Sequence, residues 1–114
     1  KEYFLDDYNV IIKLDIEGNE MNAIKGALEI IKKSHPLIII EFSKYIFDNL
    51  DNIDYLKNFL IKYDYSIFDT NYKKKNVDEV LEMLNNLKKR HKTIGNFYLI
   101  KNSSNNFKLF FSHE

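Results

Sequence analysis

This chain of 114 residues lacks cysteine and several common sequence patterns, and each absence excludes a class of function. It has no cysteine, which excludes disulfides, thiolate nucleophiles and cysteine-based zinc sites. No apolar run approaches the roughly 20 residues that a membrane span requires, and no signal-peptide pattern opens the chain. We therefore expect a cytoplasmic protein without a membrane partner.

An excess of charge of either sign is also missing, because 17 lysines and arginines balance 17 aspartates and glutamates. Nucleic-acid-binding domains usually carry a basic excess or patch, so we expect no nucleic-acid partner. The three lysines at residues 73–75 are interpreted as a solvated loop. The length fits a single domain, and because the chain starts at Lys1 instead of methionine we expect it to be part of a longer protein or a processed product.

The first half of the chain alternates strand and helix patterns. Residues 10–16 are almost continuously apolar, as is typical of a strand covered on both faces. Apolar positions three and four apart predict one helix over residues 19–33, and Pro36 then leads into a second strand over residues 37–41. This order of elements predicts a βαβ unit, in which the two strands are parallel.

The second half continues the alternation and shows no repeat or internal boundary. We expect a helix over residues 52–63 capped by Asp51 or Asn52, a strand over residues 65–70, a helix from residue 77 to about residue 90 capped by Asn76 or Asp78, a strand over residues 96–101, and an edge strand or packed tail at residues 107–111. The whole pattern predicts one α/β domain over residues 1–114.

Acidic side chains follow the first two predicted strands. Asp15 and Glu17 come at the end of the first strand, Glu20 lies in the first turn of the next helix, and Glu41 ends the second strand. The ends of parallel neighbours lie about 5 Å apart, so Asp15 and Glu41 could share a divalent cation or a substrate hydroxyl. Acids also occur here for capping and solubility; that alternative is favoured slightly for Glu17 and Glu20, stays open for Glu41, and is disfavoured for Asp15.

The histidines contribute little to this site. His35 precedes Pro36 and therefore lies at the opposite edge of the sheet from the acids, which excludes it. The sequence also shows no glycine-rich phosphate loop, no metal-spaced histidine pair and no recognisable Ser-His-Asp arrangement.

Four segments taken together resemble the FkbM family of S-adenosylmethionine-dependent methyltransferases. They are Leu-Asp-Asp at residues 5–7, Ile-Lys-Leu-Asp-Ile-Glu-Gly-Asn-Glu at 12–20, Ile-Lys-Gly-Ala at 24–27 and Pro-Leu-Ile-Ile-Ile-Glu at 36–41. The family's fourth strand reads like K-I-D-V-E-G-x-E, its following helix contains L-K-G-A, and its fifth strand reads P-x-I-x-x-E. The resemblance covers roughly residues 5–101 and is fairly specific as a set.

The resemblance implies methyl transfer from S-adenosylmethionine to a hydroxyl of a sugar or a polyketide-type product. It implies that Asp15 is the base or the ligand of a cation, that Glu41 is its partner, and that Glu17 and Glu20 line the acceptor side. A small-molecule or glycan acceptor is the partner expected. A divalent metal is compatible with these acids, although the resemblance does not by itself establish one.

The chain departs from the family in lacking the G-x-G loop that binds the cofactor, since its three glycines are far apart. By resemblance it is the C-terminal half of a Rossmann-like class I methyltransferase sheet, strands four to seven, without the N-terminal cofactor-binding half. Such a sheet is mostly parallel with flanking helices, and its last strand runs antiparallel between the second and third strands of this chain. We therefore expect the fragment alone to be inactive, and the parent protein to carry a G-x-G loop upstream.

Two other functions stay open. One is a non-enzymatic α/β remnant or interaction module, and the other is a metal-dependent hydrolase built on the same acids. A half-sheet would also expose the apolar edge of its first strand, so we expect either self-association through residues 10–16 or marginal stability.

Overall fold

The computed structural model describes residues 10–14, 19–45, 49–87 and 93–102. Within these ranges a five-stranded sheet and four helices form a mixed α/β fold, as expected. In chain order the elements are β1 (Ile11–Leu14), α1 (Glu20–Gly26), α2 (Leu28–Ser34), β2 (Leu37–Ser43), α3 (Leu50–Lys62), β3 (Tyr65–Phe68), β4 (Lys74–Lys75), α4 (Val77–Asn85) and β5 (Thr93–Lys101). None of the helices in these ranges has the length and apolar character needed to cross a membrane.

The strands lie in the order β1-β2-β5-β3-β4 across the sheet. β1 and β2 are parallel neighbours, and β5 runs antiparallel between β2 and β3, which confirms the expected place of the last strand. β1, β2 and β3 therefore all point in the same direction. The insertion of β5 nevertheless leaves β1–β2 as the single parallel pairing among the described strands, so the sheet is parallel only in part.

The helices bury their apolar residues against one face of this sheet. Cross-strand pairs such as Ile38–Leu99 and Ile40–Phe97 form the floor of the core. The helices add Met21 and Ile24 from α1, Ile31 from α2, Leu56 and Phe59 from α3, and Val80 and Leu84 from α4. Full burial of one such side chain contributes roughly 1.5–3 kcal/mol, so this layer holds α1 firmly over the end of β2.

The single helix expected over residues 19–33 is wrong. α1 ends at Gly26, and Ala27, with φ −99° and ψ 5°, separates it from α2. Apolar spacing continues through Ala27, so periodicity alone gives no sign of the break. α2 ends at Ser34, and the left-handed backbone of the next residue, His35 (φ 47°), turns the chain towards Pro36 and β2.

The expected caps are right for one helix and wrong for another. α4 starts with a capping box: the Asn76 side chain accepts a hydrogen bond from the Glu79 backbone N–H, and the Glu79 carboxylate accepts one from the Asn76 N–H. α3 is capped by Asn49, whose side chain accepts a hydrogen bond from the Asp51 backbone N–H at 2.9 Å. The expected caps, Asp51 and Asn52, lie inside the helix. The predicted start of α3 is too late because the prediction began from the first buried apolar residue, Ile53, whereas the helix begins with an exposed turn at Leu50.

The lysine-rich segment is not a plain solvated loop. Lys74 and Lys75 form β4, which pairs with Phe68 and Ile67 of β3 at the edge of the sheet. Lysines are common on edge strands because their charges discourage pairing with other chains, so a lysine-rich segment is compatible with a strand at this position. α4 also ends earlier than expected, at Asn85 instead of about residue 90.

The strand bounds differ from expectation mainly at their ends. β2 continues two residues past Glu41 to Ser43, and β5 begins at Thr93, three residues early. β3 ends at Phe68, two residues short of the predicted strand. Residues 107–111 lie outside the described ranges, as does the end of the first predicted strand beyond Leu14.

Candidate functional site

The carboxyl ends of β1 and β2 lie side by side at one edge of the sheet. Leu14, the last residue of β1, pairs with Ile40, and Glu41 follows directly on β2. In open α/β sheets ligands bind outside the carboxyl ends of the parallel strands. We call this place, defined by Leu14, Glu41, Ser43 and Glu20, the acidic rim.

The four acids predicted for the site fall into two groups. Asp15 and Glu17 lie outside the described residues, so their roles stay predictions. Glu20 and Glu41 are described, and both belong to elements that end or begin at the acidic rim.

Glu20 is buried and fully engaged. It opens α1, is 4% exposed, and accepts a hydrogen bond on each carboxylate oxygen. Oε1 accepts from the Ser43 hydroxyl and Oε2 from the Asn19 backbone N–H, both at 3.2 Å. Such bonds stabilise a carboxylate, and the helix dipole adds to them. This arrangement ties the start of α1 to the end of β2.

Ser43 was missed by sequence reasoning. It is completely buried, and the strand register shifts between it and Glu41, so that Ser43 pairs with Thr93 while Glu41 pairs with Asn96. Irregularities of this kind often re-aim a side chain beside a functional site. The one sequence feature that could have indicated Ser43 is that a polar residue follows an apolar strand. Its contact with Glu20, 23 residues away, cannot be predicted from the sequence.

Glu41 differs from Glu20 in being open. It is half-buried, and among the described residues its carboxylate has no hydrogen-bond or ion-pair partner. A carboxylate in this state can accept a hydrogen bond or a proton from a bound hydroxyl. Of the described acids at the rim, Glu41 is therefore the one that is available for chemistry.

A tyrosine lies near Glu41 on the same face of the sheet. Tyr98 pairs with Ile39, and Asn96, two positions before it, pairs with Glu41. Burial, and then the neighbouring Tyr72 on which it stacks, raise the pKa of Tyr98 above its usual value. The phenol therefore stays neutral at physiological pH, and sequence reasoning did not single it out.

No cluster of three or more histidine, cysteine, aspartate or glutamate side chains suited to a metal ion occurs in the described parts of the chain. The pairing of Asp15 with Glu41 that would form a cation site stays a prediction, since Asp15 is not among these residues. His35, excluded from the sequence, lies at the start of β2 and so at the far end of that strand from Glu41.

The sheet, the crossover helices and the acidic rim define an α/β protein with a candidate site at its strand ends. The particular family follows from comparison with known proteins. The Methyltransferase FkbM domain matches residues 2–91, which is most of the chain, and the chain belongs to that family. The matched segment includes every acid predicted for the site and ends just before β5. No curated protein and no solved structure matches the chain.

Proposed function

We propose that this chain is part of an S-adenosylmethionine-dependent O-methyltransferase that acts on a hydroxyl of a sugar or a related small molecule. The observation that carries the proposal is the open, half-buried carboxylate of Glu41 at the acidic rim, in a chain of the FkbM methyltransferase family. A carboxylate that can accept a proton suits a hydroxyl acceptor, because the hydroxyl must lose its proton when it receives the methyl group.

The sheet is proposed to be the C-terminal half of a Rossmann-like methyltransferase sheet. Support comes from the antiparallel β5 between two strands that run in the same direction. The methyl donor is then held mainly by residues outside this chain, because its three glycines include no G-x-G pair that could bring a backbone close to the cofactor. The cytoplasmic location expected from the sequence is part of the same proposal.

The residues of the chain are assigned distinct roles. When bound, S-adenosylmethionine supplies the methyl group. Glu41 accepts the proton of the acceptor hydroxyl, for which it must lie within about 2.6–3.2 Å of that oxygen. Asp15 is proposed as an alternative base or as the ligand of a divalent cation, and Glu17 as part of the acceptor side. Glu20 acts through Ser43 as a positioning residue that holds the rim.

A methyl-transfer assay on the protein that carries this chain tests the proposal. Radiolabelled S-adenosylmethionine is supplied with a panel of sugars, and Glu41→Gln is compared with the unmodified protein. Removing a general base typically lowers the rate about 10²-fold or more, so we expect kcat to fall by that amount with the melting temperature unchanged. Asp15→Asn is measured beside it, with and without a chelator.

The matched control is Glu82→Gln, which changes an exposed glutamate on α4 that is not one of the residues defining the rim. It should leave the rate unchanged. Full activity in both Glu41→Gln and Asp15→Asn would remove these carboxylates from the reaction. Methyl transfer to no acceptor, in a protein that binds S-adenosylmethionine, would favour the non-enzymatic alternative.

A further inference from the structure

A concavity lies beside β3 and β4, at the other end of the strand order from β1 and the acidic rim. It is a cleft of about 520 Å³ between α3, the β3–β4 pair and the start of α4. Its volume falls within the roughly 300–1,000 Å³ of small-molecule sites. None of the residues that line it belongs to β1, β2 or α1, so it is distinct from the acidic rim.

The floor of the cleft is apolar. Leu60 and Ile61 on α3 face Ile67 of β3 and Val77 at the start of α4. Ile67 and Val77 are buried, while Ile61 is 81% exposed and forms an accessible wall. An apolar group placed here would cover part of that exposed surface.

One wall of the cleft is fixed by hydrogen bonds. The Ser66 hydroxyl donates to the Asn102 side-chain oxygen at 2.6 Å, and the Asn102 side-chain nitrogen donates to the Asp64 carboxylate at 2.9 Å. These side chains already satisfy one another, so this wall is formed before any ligand binds. Preformed walls reduce the entropy that binding costs.

The rim of the cleft is positively charged. It carries Lys57, Lys74 and Lys75 against a single acid, Asp78. The Lys57 amine and the Asp78 carboxylate lie 3.2 Å apart and neutralise each other. Lys74 and Lys75 have no ion-pair or hydrogen-bond partner among the described residues, and Lys75 is half-buried beside Ile67. Lys74 and Lys75 are consecutive on β4, so their side chains start on opposite faces of the sheet, and Lys75, which pairs with Ile67, is the one on the face that the helices cover. The Lys75 amine is therefore the charge beside the cleft that has no partner among the described residues.

We infer that this cleft binds a small amphiphilic anion, with a phosphate or carboxylate head on an apolar body. The head lies against the amine of Lys75, and the body covers the exposed side chain of Ile61 and the half-buried side chain of Leu60. The half-buried position of Lys75 favours this interaction, because a partly buried charge is screened less by water and salt. This site is independent of the proposed methyl transfer.

Calorimetric titration with octyl phosphate tests the inference. Octyl glucoside, which has the same apolar body and a neutral head, and inorganic phosphate, which is the head alone, are titrated beside it. We expect octyl phosphate to bind at least tenfold more tightly than either one. Its affinity should fall as sodium chloride is raised from 0.05 to 0.5 M, because the Debye length shrinks from about 14 Å to about 4 Å.

Lysine variants locate the binding. Lys75→Met keeps the length and apolar stem of the side chain and removes its charge, and should weaken octyl phosphate binding at least tenfold. Lys33→Met, on the exposed surface of α2, removes a charge outside the cleft and should leave the affinity unchanged.

Three results would overturn the inference. They are equal affinity for octyl phosphate and octyl glucoside, unchanged affinity in Lys75→Met, and no heat of binding up to millimolar octyl phosphate. The salt series and the neutral ligand use the unmodified protein, so the test stands even if a variant folds poorly.

Discussion

At the scale of single residues, two glutamates of the same rim have opposite environments. Glu20 is buried with both oxygens occupied, whereas Glu41 is half-buried and open among the described residues. Burial and two hydrogen bonds fix the Glu20 carboxylate in place, whereas no described residue restrains the carboxylate of Glu41. The same residue type therefore supplies a structural tie at one position and a candidate reactive group at the other.

Tyr55 offers a residue-scale test of hydrogen-bond satisfaction. Its hydroxyl is buried and has no hydrogen-bond partner among the described residues, although its ring packs on Phe59 and lies under the Lys25 amine. An unsatisfied buried polar group costs about 1–3 kcal/mol, so Tyr55→Phe should raise the free energy of unfolding by about 1 kcal/mol. Urea denaturation followed by circular dichroism measures the change.

Tyr65→Phe is the matched comparison. The Tyr65 hydroxyl is buried and donates to the Pro36 carbonyl oxygen at 2.9 Å, so its removal should lower stability by about 1 kcal/mol. If both variants shift stability in the same direction, hydrogen bonding does not explain the difference between the two tyrosines.

The pH dependence of Tyr55 gives the same prediction a second readout. Burial, and then the neighbouring Tyr63, raise the pKa of Tyr55 above 10.0. Above pH 10 the unfolded tyrosine therefore releases its proton while the folded one keeps it, and the native state loses stability as pH rises. The advantage of Tyr55→Phe over the unmodified protein should accordingly grow above pH 10, where Tyr55→Phe lacks this loss.

At the scale of elements, α4 depends on the capping box at its start. Asn76 and Glu79 exchange hydrogen bonds of 2.8 and 2.9 Å, which satisfy two backbone N–H groups. α4 has nine residues and little helical stability of its own, so the cap and the burial of Val80 and Leu84 maintain it.

Asn76→Ala should therefore destabilise the protein by about 1 kcal/mol, as measured by thermal or urea unfolding. Asn58→Ala serves as the control, because Asn58 is exposed inside α3 and alanine is the better helix former. Asn58→Ala should leave stability unchanged or slightly higher. Equal stability of Asn76→Ala and the unmodified protein would show that the capping box contributes nothing.

The elements also show how far sequence reasoning extends. Local signals were enough for the βαβ unit and the Asn76 cap, because strong apolar periods and capping residues act within a few positions. The placement of β5 between β2 and β3 came from family resemblance, since pairs such as Ile38–Leu99 leave no local trace. The Ser43–Glu20 bond and the Lys74–Lys75 strand were missed for the same reason, because tertiary contacts create both.

At the scale of the whole molecule, β1 is the end strand of the described sheet. Ile11 on this strand is 45% exposed, and only β2 pairs with β1 among the described strands. A strand edge of this kind offers unpaired backbone groups to a second chain. The expected self-association through residues 10–16 is therefore a prediction about this edge.

We expect the molar mass measured by sedimentation to rise with protein concentration, and Ile11→Lys to shift the protein towards monomer. Leu50→Lys is the control, since Leu50 is 73% exposed at the start of α3 and is not part of β1. A monomer at every concentration would contradict the prediction. An equal effect of Leu50→Lys would attribute association to general surface hydrophobicity.

The position of β5 determines the order in which the sheet is completed during synthesis on the ribosome. β1 and β2 emerge early and β3 and β4 follow, yet β2 and β3 share no partner until Thr93–Lys101 has left the exit tunnel. Until then both strands keep open apolar edges, which chaperones and other nascent chains can bind. Their closure also needs contacts between distant parts of the chain, which form slowly. Among the described strands the central one is made last, so these strands can form their native sheet only after β1 to β4 have all been synthesised.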